Sequence, residues 1–482
     1  MINIKPIAFI SGTLVCATGF FLFLPLLTEI IYQTDQWQAY TIPIILYLIV
    51  GGSLVIVNKD IDIELDLKSG FFMTVFSWIL LSIICAIPFM YAKSNLNWVD
   101  ALFESMSGLT TTGATILNNL DELPKGILIW RSFLQWIGGI GIIIIALFIL
   151  PFLKVGGMQL FHTEGDDPYE KFSPKISSTI KSIFFVYLLI TILGIWLYFL
   201  FGMSVFDAIN HSFTTIATGG YSTHDESFAY FNNTPLLYIS SIIMIFGSIP
   251  FILIAQTRLK NPLIIFKDEQ VKIFLIILII IIIFLYFLAG NFVKGGIFDK
   301  YAHITFNTIS IISGTGFVSD NFENWGNYAS ILFLFLMFIG GCAGSTTSGL
   351  KIFRFKILFL SLTNHLNKLL RPHGIFNYQF NGKTIPDNTF ESVMSFFFIF
   401  IITFVATALL LSFSGLDFIT CISASASAIA NIGPGLGEII GPNGNYSSLS
   451  KYSKLILTIT MLLGRLEILT LIIFFLPRFW KN

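Results

Sequence analysis

Charged side chains are rare in this sequence of 482 residues, in which Asp, Glu, Lys and Arg make up only 11%. Soluble domains contain about 25% of these residues. The 27 basic and 27 acidic residues give a formal net charge of +0, so there is no basic excess to bind nucleic acid. The shortage of charge argues against a chain of soluble domains, and we expect no nucleic-acid partner.

Residues that build disulfide frameworks, metal sites and active sites are also few. The cysteines occur singly, with no CxxC pair, and the histidines lack metal-ligand spacing. No GxSxG, Walker, HExxH or GxGxxG pattern stands in the context that its chemistry requires. We therefore expect no enzyme activity, and we interpret the cysteines as reduced, buried and inert. The cysteines are Cys16, Cys85, Cys342 and Cys421.

Apolar residues dominate instead, with 55% hydrophobic and 16% aromatic residues and a mean hydropathy of +0.83. Runs long enough to cross about 30 Å of hydrocarbon predict an all-α polytopic membrane protein. Lys and Arg are more frequent in the loops on the side of the termini, which predicts that both termini are cytoplasmic. The predicted crossings are 7–32, 41–57, 70–92, 126–153, 177–202, 235–257, 271–290, 328–368 (interrupted), 390–413 and 455–476.

Four segments between the spans end in small polar residues and repeat at intervals of roughly 100 residues. A short apolar stretch precedes each one, too short to span a membrane and suited to a re-entrant helix. Because each repeat contributes two crossings, all four segments enter from the same, extracellular side. One glycine is taken as the anchor in each of "TTTGAT", "IATGGYST", "SGTGFVSD" and "IANIGPGLG", namely Gly113, Gly219, Gly316 and Gly433.

This pattern predicts four pseudo-symmetric M1–P-loop–M2 repeats around a central pore. Glycines beside threonines let the backbone turn carbonyl oxygens toward the pore axis, where they replace the water shell of a monovalent cation. The alternative is that the glycines only permit close helix packing. The expected units are a two-helix N-terminal domain at 1–65 and pore repeats at 66–155, 156–260, 261–370 (with a broken second helix) and 371–482.

The eighth span is interrupted by "GGCAGSTTSG" (340–349), whose small residues cannot hold a stable lipid-facing helix. We predict a protein-lined loop that obstructs the ion path beneath the filter. A passive kink or a packing face is the alternative. The loop residues assigned to this gate are Gly340, Gly341, Gly344, Ser345, Thr346, Thr347 and Gly349.

Arg465 lies close to the middle of the tenth predicted span, where an isolated charge is unfavourable and marks a functional candidate. A positive charge beside a cation path raises the barrier to conduction, so we predict a gating role. The alternative is structural pairing with Glu467 or Glu104, although a spacing of two residues places Glu467 on another helix face. Glu104 itself is predicted to brace the filter.

The chain resembles the TrkH/TrkG potassium-uptake subunits of the Trk/Ktr/HKT superfamily over nearly its whole length. The four loops, "RSFLQWIGGIGIIIIALFILPFLKVGGMQLFHTEG" (131–165), "GGCAGSTTSGLKIFRF" (340–355) and "GRLE" (464–467) carry the resemblance. It implies a K⁺ uptake protein of a prokaryotic cytoplasmic (inner) membrane with two extra N-terminal helices, a selectivity filter at the anchor glycines, and a gate formed by the 340–349 loop and Arg465.

The resemblance also implies a ligand and partners. Transported K⁺ is the expected ligand, with no covalent cofactor, and the family typically forms homodimers in the lipid bilayer on a cytosolic ring of nucleotide-binding TrkA-type regulatory subunits. The implied K⁺ site comprises Thr111, Thr112, Gly113, Ala217, Thr218, Gly219, Gly314, Thr315, Gly316, Asn431, Ile432 and Gly433.

Two classes of transport protein fit these features. One is a K⁺-selective pore that passes ions down their electrochemical gradient, and the other is a secondary active symporter that couples K⁺ to H⁺ or Na⁺. Inverted repeats and helices broken at mid-membrane are typical of the symporter class. Because the repeats here are parallel and only one span is predicted to be broken, we favour the pore.

Overall fold

The computed structural model describes residues 4–59, 67–145, 174–257, 262–374 and 376–480, which are mostly helical. The helices are α1 (Ile4–Phe21), α2 (Phe23–Tyr32), α3 (Gln38–Val57), α4 (Leu67–Tyr91), α5 (Trp98–Leu109), α6 (Lys125–Ile144), α7 (Pro174–Leu200), α8 (Val205–Ile216), α9 (Thr234–Ser248), α10 (Phe251–Thr257), α11 (Glu269–Ala289), α12 (Ile297–Ile312), α13 (Asn327–Leu336), α14 (Ile352–Leu370), α15 (Asp387–Ser412), α16 (Phe418–Ala430), α17 (Lys451–Arg465), α18 (Leu469–Ile472) and α19 (Pro477–Trp480). Strands β1 (Gln379–Phe380) and β2 (Lys383–Thr384) form an antiparallel hairpin.

The described helices confirm a polytopic all-α membrane fold. Seven of them are long and apolar enough to cross a membrane, and up to nine spans result if each bent pair is counted as one. The eighth predicted span is interrupted between α13 and α14, as expected. The segment "VGGMQLFHTEG" and the predicted domain boundaries near residues 65, 155 and 260 lie outside the described residues.

The prediction of a single broken span is wrong. The sixth span bends by 100° between α9 and α10, and the tenth bends by 107° after α17. Pro250 explains the first bend, because proline disfavours a helical residue before it and lacks the amide N–H to continue the helix. At the second bend Glu467 adopts a left-handed backbone with a φ of 57°. Arg465 therefore ends a helix instead of lying in the middle of one.

Four short helices occupy the predicted re-entrant positions. They contain 12, 12, 16 and 13 residues in α5, α8, α12 and α16. At about 1.5 Å per residue, none is long enough to cross about 30 Å of hydrocarbon. Side chains of Asn97, Ser204 and Asp417 cap the N-termini of α5, α8 and α16 by accepting backbone N–H groups. The C-terminus of each short helix leads directly into one of the four predicted loops.

The repeats pack side by side, and the fourth repeat contacts the first. Within each repeat the first long helix packs against its own short helix: α4 on α5, α7 on α8, α11 on α12, and α15 on α16. The second helix packs against the short helix of the next repeat in the pairs α6 with α8, α9 with α12, and α17 with α5. The last of these pairs joins the fourth repeat to the first, so the short helices surround a common axis.

The N-terminal helices pack against the first repeat. Helices α1 and α3 cross closely at Gly12 and Gly51, where a Cβ on Gly51 would lie 2.7 Å from the Sγ of Cys16 and from the carbonyl oxygen of Gly12. Glu29 of α2 accepts the N–H of Gly126 at 2.7 Å. This carboxylate satisfies a free amide and complements the positive end of the α6 dipole.

Substitution of neighbouring glycines tests the close crossing of α1 and α3. Gly51→Ala should lower the free energy of unfolding by about 1–3 kcal/mol, because the added methyl has no room against α1. Gly52→Ala is the matched control, since a Cβ there meets nothing within 4 Å. Thermal unfolding of the purified protein in detergent measures both, and an equal melting temperature for the two variants would contradict this packing.

Candidate functional site

The four loops that follow the short helices share one pattern of backbone conformation. In the first loop, Thr111 and Gly113 have φ angles of 51° and 82°, while the residue between them is not left-handed. Because left-handed residues alternate with a residue that is not left-handed, successive carbonyl groups point in directions that they do not take in a regular helix or strand. A β-branched residue with positive φ is strained, and such strain concentrates at functional sites. The equivalent pairs are Thr218 and Gly220, Gly314 and Gly316, and Asn431 and Gly433.

Backbone hydrogen bonds align the four loops and correct the anchor of the second one. The N–H of Thr112 donates to the carbonyl of Ser107 at 2.9 Å, five residues earlier. In the second loop the same bond is donated by Gly219, which therefore corresponds to Thr112. The residue that matches Gly113 is Gly220, one position after the glycine chosen from the sequence. The bond is repeated in the other two loops by Thr315 and Ile432.

The glycines lock neighbouring loops together around the axis. A Cβ added at Gly113 would overlap the carbonyl oxygen of Gly219, and one at Gly220 would overlap that of Thr315. One at Gly316 would overlap the carbonyl oxygen of Ile432. In the fourth loop, a Cβ on Gly433 would lie 2.8 Å from the carbonyl oxygen of Thr112, which returns the chain of contacts to the first loop. All four loops therefore meet, and each glycine is required by both its φ angle and its neighbour.

Several main-chain oxygens at this meeting point have no protein donor. Within the described residues, the carbonyl groups of Thr112, Thr315 and Ile432 accept no hydrogen bond, although these residues are at most 1% exposed. The equivalent oxygen of Gly219 accepts one bond, from Gln135 at 2.7 Å, and retains its second lone pair. Buried carbonyl groups in proteins almost always have a partner. These four oxygens all keep free lone pairs and lie at the negative ends of four helix dipoles. Such a ring suits the coordination of a desolvated cation.

A buried ion pair holds the first two loops from behind. Arg131 of α6 donates from Nε to Glu104 at 2.7 Å and from Nη1 to the carbonyl of Ser222 at 3.2 Å. Glu104 also accepts the N–H of Ile116 at 3.0 Å. Loss of one partner from a fully buried pair typically costs about 3–5 kcal/mol. This position fits the predicted bracing role of Glu104, and its partner is Arg131 instead of Arg465.

The small-residue loop at 340–349 lies directly against the second loop. The Oγ1 of Thr346 is 3.2 Å from that of Thr218 and 3.0 Å from the carbonyl oxygen of Ile216. The bend after α9 leaves helix carbonyls without helical donors. The N–H groups of Thr346 and Cys342 bond to two of these carbonyls, on Gly247 and Ser248, at 3.1 and 3.0 Å.

Arg465 joins this loop to the first repeat. Its Nη1 donates to the carbonyl of Thr346 at 3.0 Å and its Nη2 donates to the carbonyl of Gly138 in α6 at 3.2 Å. Glu467 pairs with Arg354 instead, at 2.5 Å. Neither carboxylate that the sequence offered as a partner for Arg465 therefore contacts it. Arg465 is 2% exposed, and its guanidinium ties the 340–349 loop to α6.

Three residues of the site were missed by sequence reasoning. Gly220 was obscured by the adjacent pair of glycines in "IATGGYST". Gln135 is a single amide side chain in an apolar helix, and such a residue indicates a buried hydrogen-bonding role. Its Oε1 accepts the N–H of Tyr221 at 3.1 Å. Tyr446, remote in the sequence from the fourth loop, donates to the carbonyl of Gly433 at 2.7 Å, and no sequence pattern predicts this bond.

A ring of four re-entrant loops inside apolar spans defines a polytopic membrane transport protein, not an enzyme. The family profile described as "TrkH: Cation transport protein" matches residues 36–482. The chain belongs to this TrkH family, which confirms the resemblance seen in the sequence.

Individual relatives match along their full length. The chain is 38% identical to the Trk system potassium uptake protein TrkI of Halomonas elongata over 480 residues, which cover 99% of this chain and 97% of that protein. It is 35% identical over 494 residues to the Trk system potassium uptake protein TrkH of Escherichia coli K12, covering 100% of both. The crystal structure of the potassium transporter TrkH from Vibrio parahaemolyticus matches with a TM-score of 0.92 and 34% identity, covering 99% of this chain and 100% of that one.

Proposed function

We propose that this protein takes up K⁺ across the cytoplasmic membrane through a K⁺-selective pore. The observation that carries the proposal is a ring of four buried main-chain oxygens with free lone pairs. Those of Thr112, Thr315 and Ile432 have no donor among the described residues, and that of Gly219 keeps one lone pair beside its bond from Gln135. The relatives named above as potassium uptake proteins support K⁺ as the ion. The other residues that form the proposed filter around this site, without each supplying an oxygen to the ion, are Thr111, Gly113, Ala217, Thr218, Gly220, Gly314, Gly316, Asn431 and Gly433.

The 340–349 loop is the proposed gate. Its residue Thr346 contacts Thr218 and Ile216 at the inner end of the second loop, on the route that an ion would leave by. Arg465 holds the loop in that position and adds a positive charge, which opposes the passage of a cation. Opening requires the loop to break its hydrogen bonds to the helix carbonyls of Gly247 and Ser248 and to move away from the bend after α9.

A symporter coupled to H⁺ or Na⁺ is the second candidate. The bends of 100° and 107° support it, because discontinuous helices are typical of secondary transporters. The closed ring of like-oriented repeats supports the pore instead. Unidirectional flux separates the two classes: a pore carries K⁺ without added Na⁺ and independently of a pH gradient.

The assembly proposed with this function has two levels. The protein forms a homodimer, each protomer with its own pore, and a cytosolic nucleotide-binding subunit regulates it from the side where both termini lie. These features follow from the family resemblance. Flux through the purified protein, measured with and without the candidate regulatory subunit and its nucleotides, tests the proposed regulation.

Substitution of the two adjacent glycines of the second loop tests the filter. Gly220→Ser should lower the K⁺/Na⁺ flux ratio in liposomes about tenfold or more, because serine is strained at a φ of 80° and would strike the carbonyl of Thr315. Gly219→Ser should lower this ratio less, because the φ of Gly219 is not left-handed and its Cβ would meet the side-chain end of Gln135 instead of a main-chain oxygen. Unchanged selectivity in Gly220→Ser, in protein that still conducts, would refute the assignment.

Removal of the Arg465 side chain tests the gate. Arg465→Ala should raise basal K⁺ flux, since each lost hydrogen bond to the loop is worth about 1 kcal/mol and therefore about a fivefold change in the open population. Arg478→Ala, a loss of the same charge from an exposed position, is the control. A basal flux that falls or stays the same in Arg465→Ala liposomes would show that this contact does not hold an obstruction closed.

A further inference from the structure

The glycine carbonyl of the fourth loop differs from those of the other three loops in its hydrogen-bond donors. The oxygen of Gly433 accepts a hydrogen bond from the Oγ of Ser427 at 2.9 Å and another from the hydroxyl of Tyr446 at 2.7 Å. A carbonyl oxygen has two lone pairs, so both are occupied by protein donors. Ser427 and Tyr446 are 0% and 3% exposed, which protects both bonds from competition with water.

The corresponding oxygens of the other loops are not occupied. Among the described residues, the carbonyls of Gly113, Gly220 and Gly316 accept no hydrogen bond. Two hydroxyl groups behind these loops donate instead to the carbonyl of the residue that follows the glycine. Ser310 donates to the carbonyl of Phe317 at 2.7 Å, and Tyr221 donates to that of Ala114 at 3.3 Å. In the fourth loop the hydroxyl bonds fall on the glycine itself, and the next residue is a proline.

Tyr446 is held in place by the first repeat. Its N–H donates to the carbonyl of Thr115 at 2.9 Å, and its ring lies against that of Phe103 with centroids 5.6 Å apart. Neither contact involves the fourth loop. The position of Tyr446 is therefore fixed by contacts with the first loop and its short helix.

We infer that Tyr446 and Ser427 withdraw the Gly433 carbonyl from the ion, so that the outer end of the filter offers three glycine oxygens instead of four. This inference rests on the proposed K⁺ pore and specifies the coordination of its outermost site. An ion held by three oxygens keeps part of its hydration on the side of the fourth loop. Weak binding at this end lets the ion move inward, because conduction requires sites that also release their ion. Tyr446 is thus a positioning residue that sets ion affinity.

Deletion of one hydroxyl tests the inference. Tyr446→Phe frees a lone pair on Gly433, and the half-saturating external K⁺ concentration for uptake into liposomes should fall about fivefold, with no rise in maximal rate. This factor corresponds to about 1 kcal/mol, the usual net worth of one such interaction. Tyr47→Phe is the matched control: it removes another buried hydroxyl that donates to a backbone carbonyl, that of Ile84 in α4. Its half-saturating concentration should equal that of the unmodified protein.

A pair of serine variants provides an independent test that does not need Tyr446→Phe to fold. Ser427→Ala removes the second donor and should also lower the half-saturating concentration, whereas Ser427→Thr keeps the hydroxyl and should not. The inference is overturned if folded Tyr446→Phe shows an unchanged or raised half-saturating concentration, or if Ser427→Ala and Ser427→Thr behave alike. If the unmodified protein takes up no K⁺, it is the proposed function that fails.

Discussion

Main-chain oxygens that are buried but have no protein donor are the constraint on which the rest of this structure depends. A carbonyl group removed from water needs a partner, and at the ends of the four short helices the part of the chain that the structure describes supplies none for Thr112, Thr315 and Ile432. A strained backbone at Thr111 and Thr218 holds the loops in this state. Strain and unsatisfied oxygens persist only if the surroundings enforce them, and a cation that replaces its water shell with these oxygens relieves the deficit.

The surroundings enforce the arrangement in two layers. The inner layer is the cycle in which each glycine backbone lies against a carbonyl of the next loop, so that no loop can change alone. The outer layer consists of side chains behind the loops: the Glu104–Arg131 pair, the amide of Gln135, and the hydroxyl of Tyr446. Because these supports differ from loop to loop, the site has fourfold topology but not fourfold chemistry.

Much of this organisation is predictable from the sequence because it depends on local patterns of apolar and small polar residues. Long apolar runs gave the spans, and short apolar stretches before small polar residues gave the re-entrant helices. Contacts between distant segments were not predictable. Gly219 was the anchor expected from the sequence, whereas the bond from Gly219 to the short helix and the positive φ of Gly220 identify Gly220 as the residue that matches Gly113. The bends in the sixth and tenth spans were not predictable because apolar runs continue through them. Gly247 and Arg465 contact the 340–349 loop only in the folded protein, from distant positions in the sequence.

The most direct measurement is anomalous diffraction from crystals soaked in Rb⁺, which substitutes for K⁺ and scatters strongly enough to be located. The account predicts peaks on the axis among the carbonyl oxygens of Thr112, Gly219, Thr315 and Ile432, with none bonded to Gly433. Peaks elsewhere in the molecule with an empty axis, or loops whose oxygens are satisfied by protein donors, would contradict it.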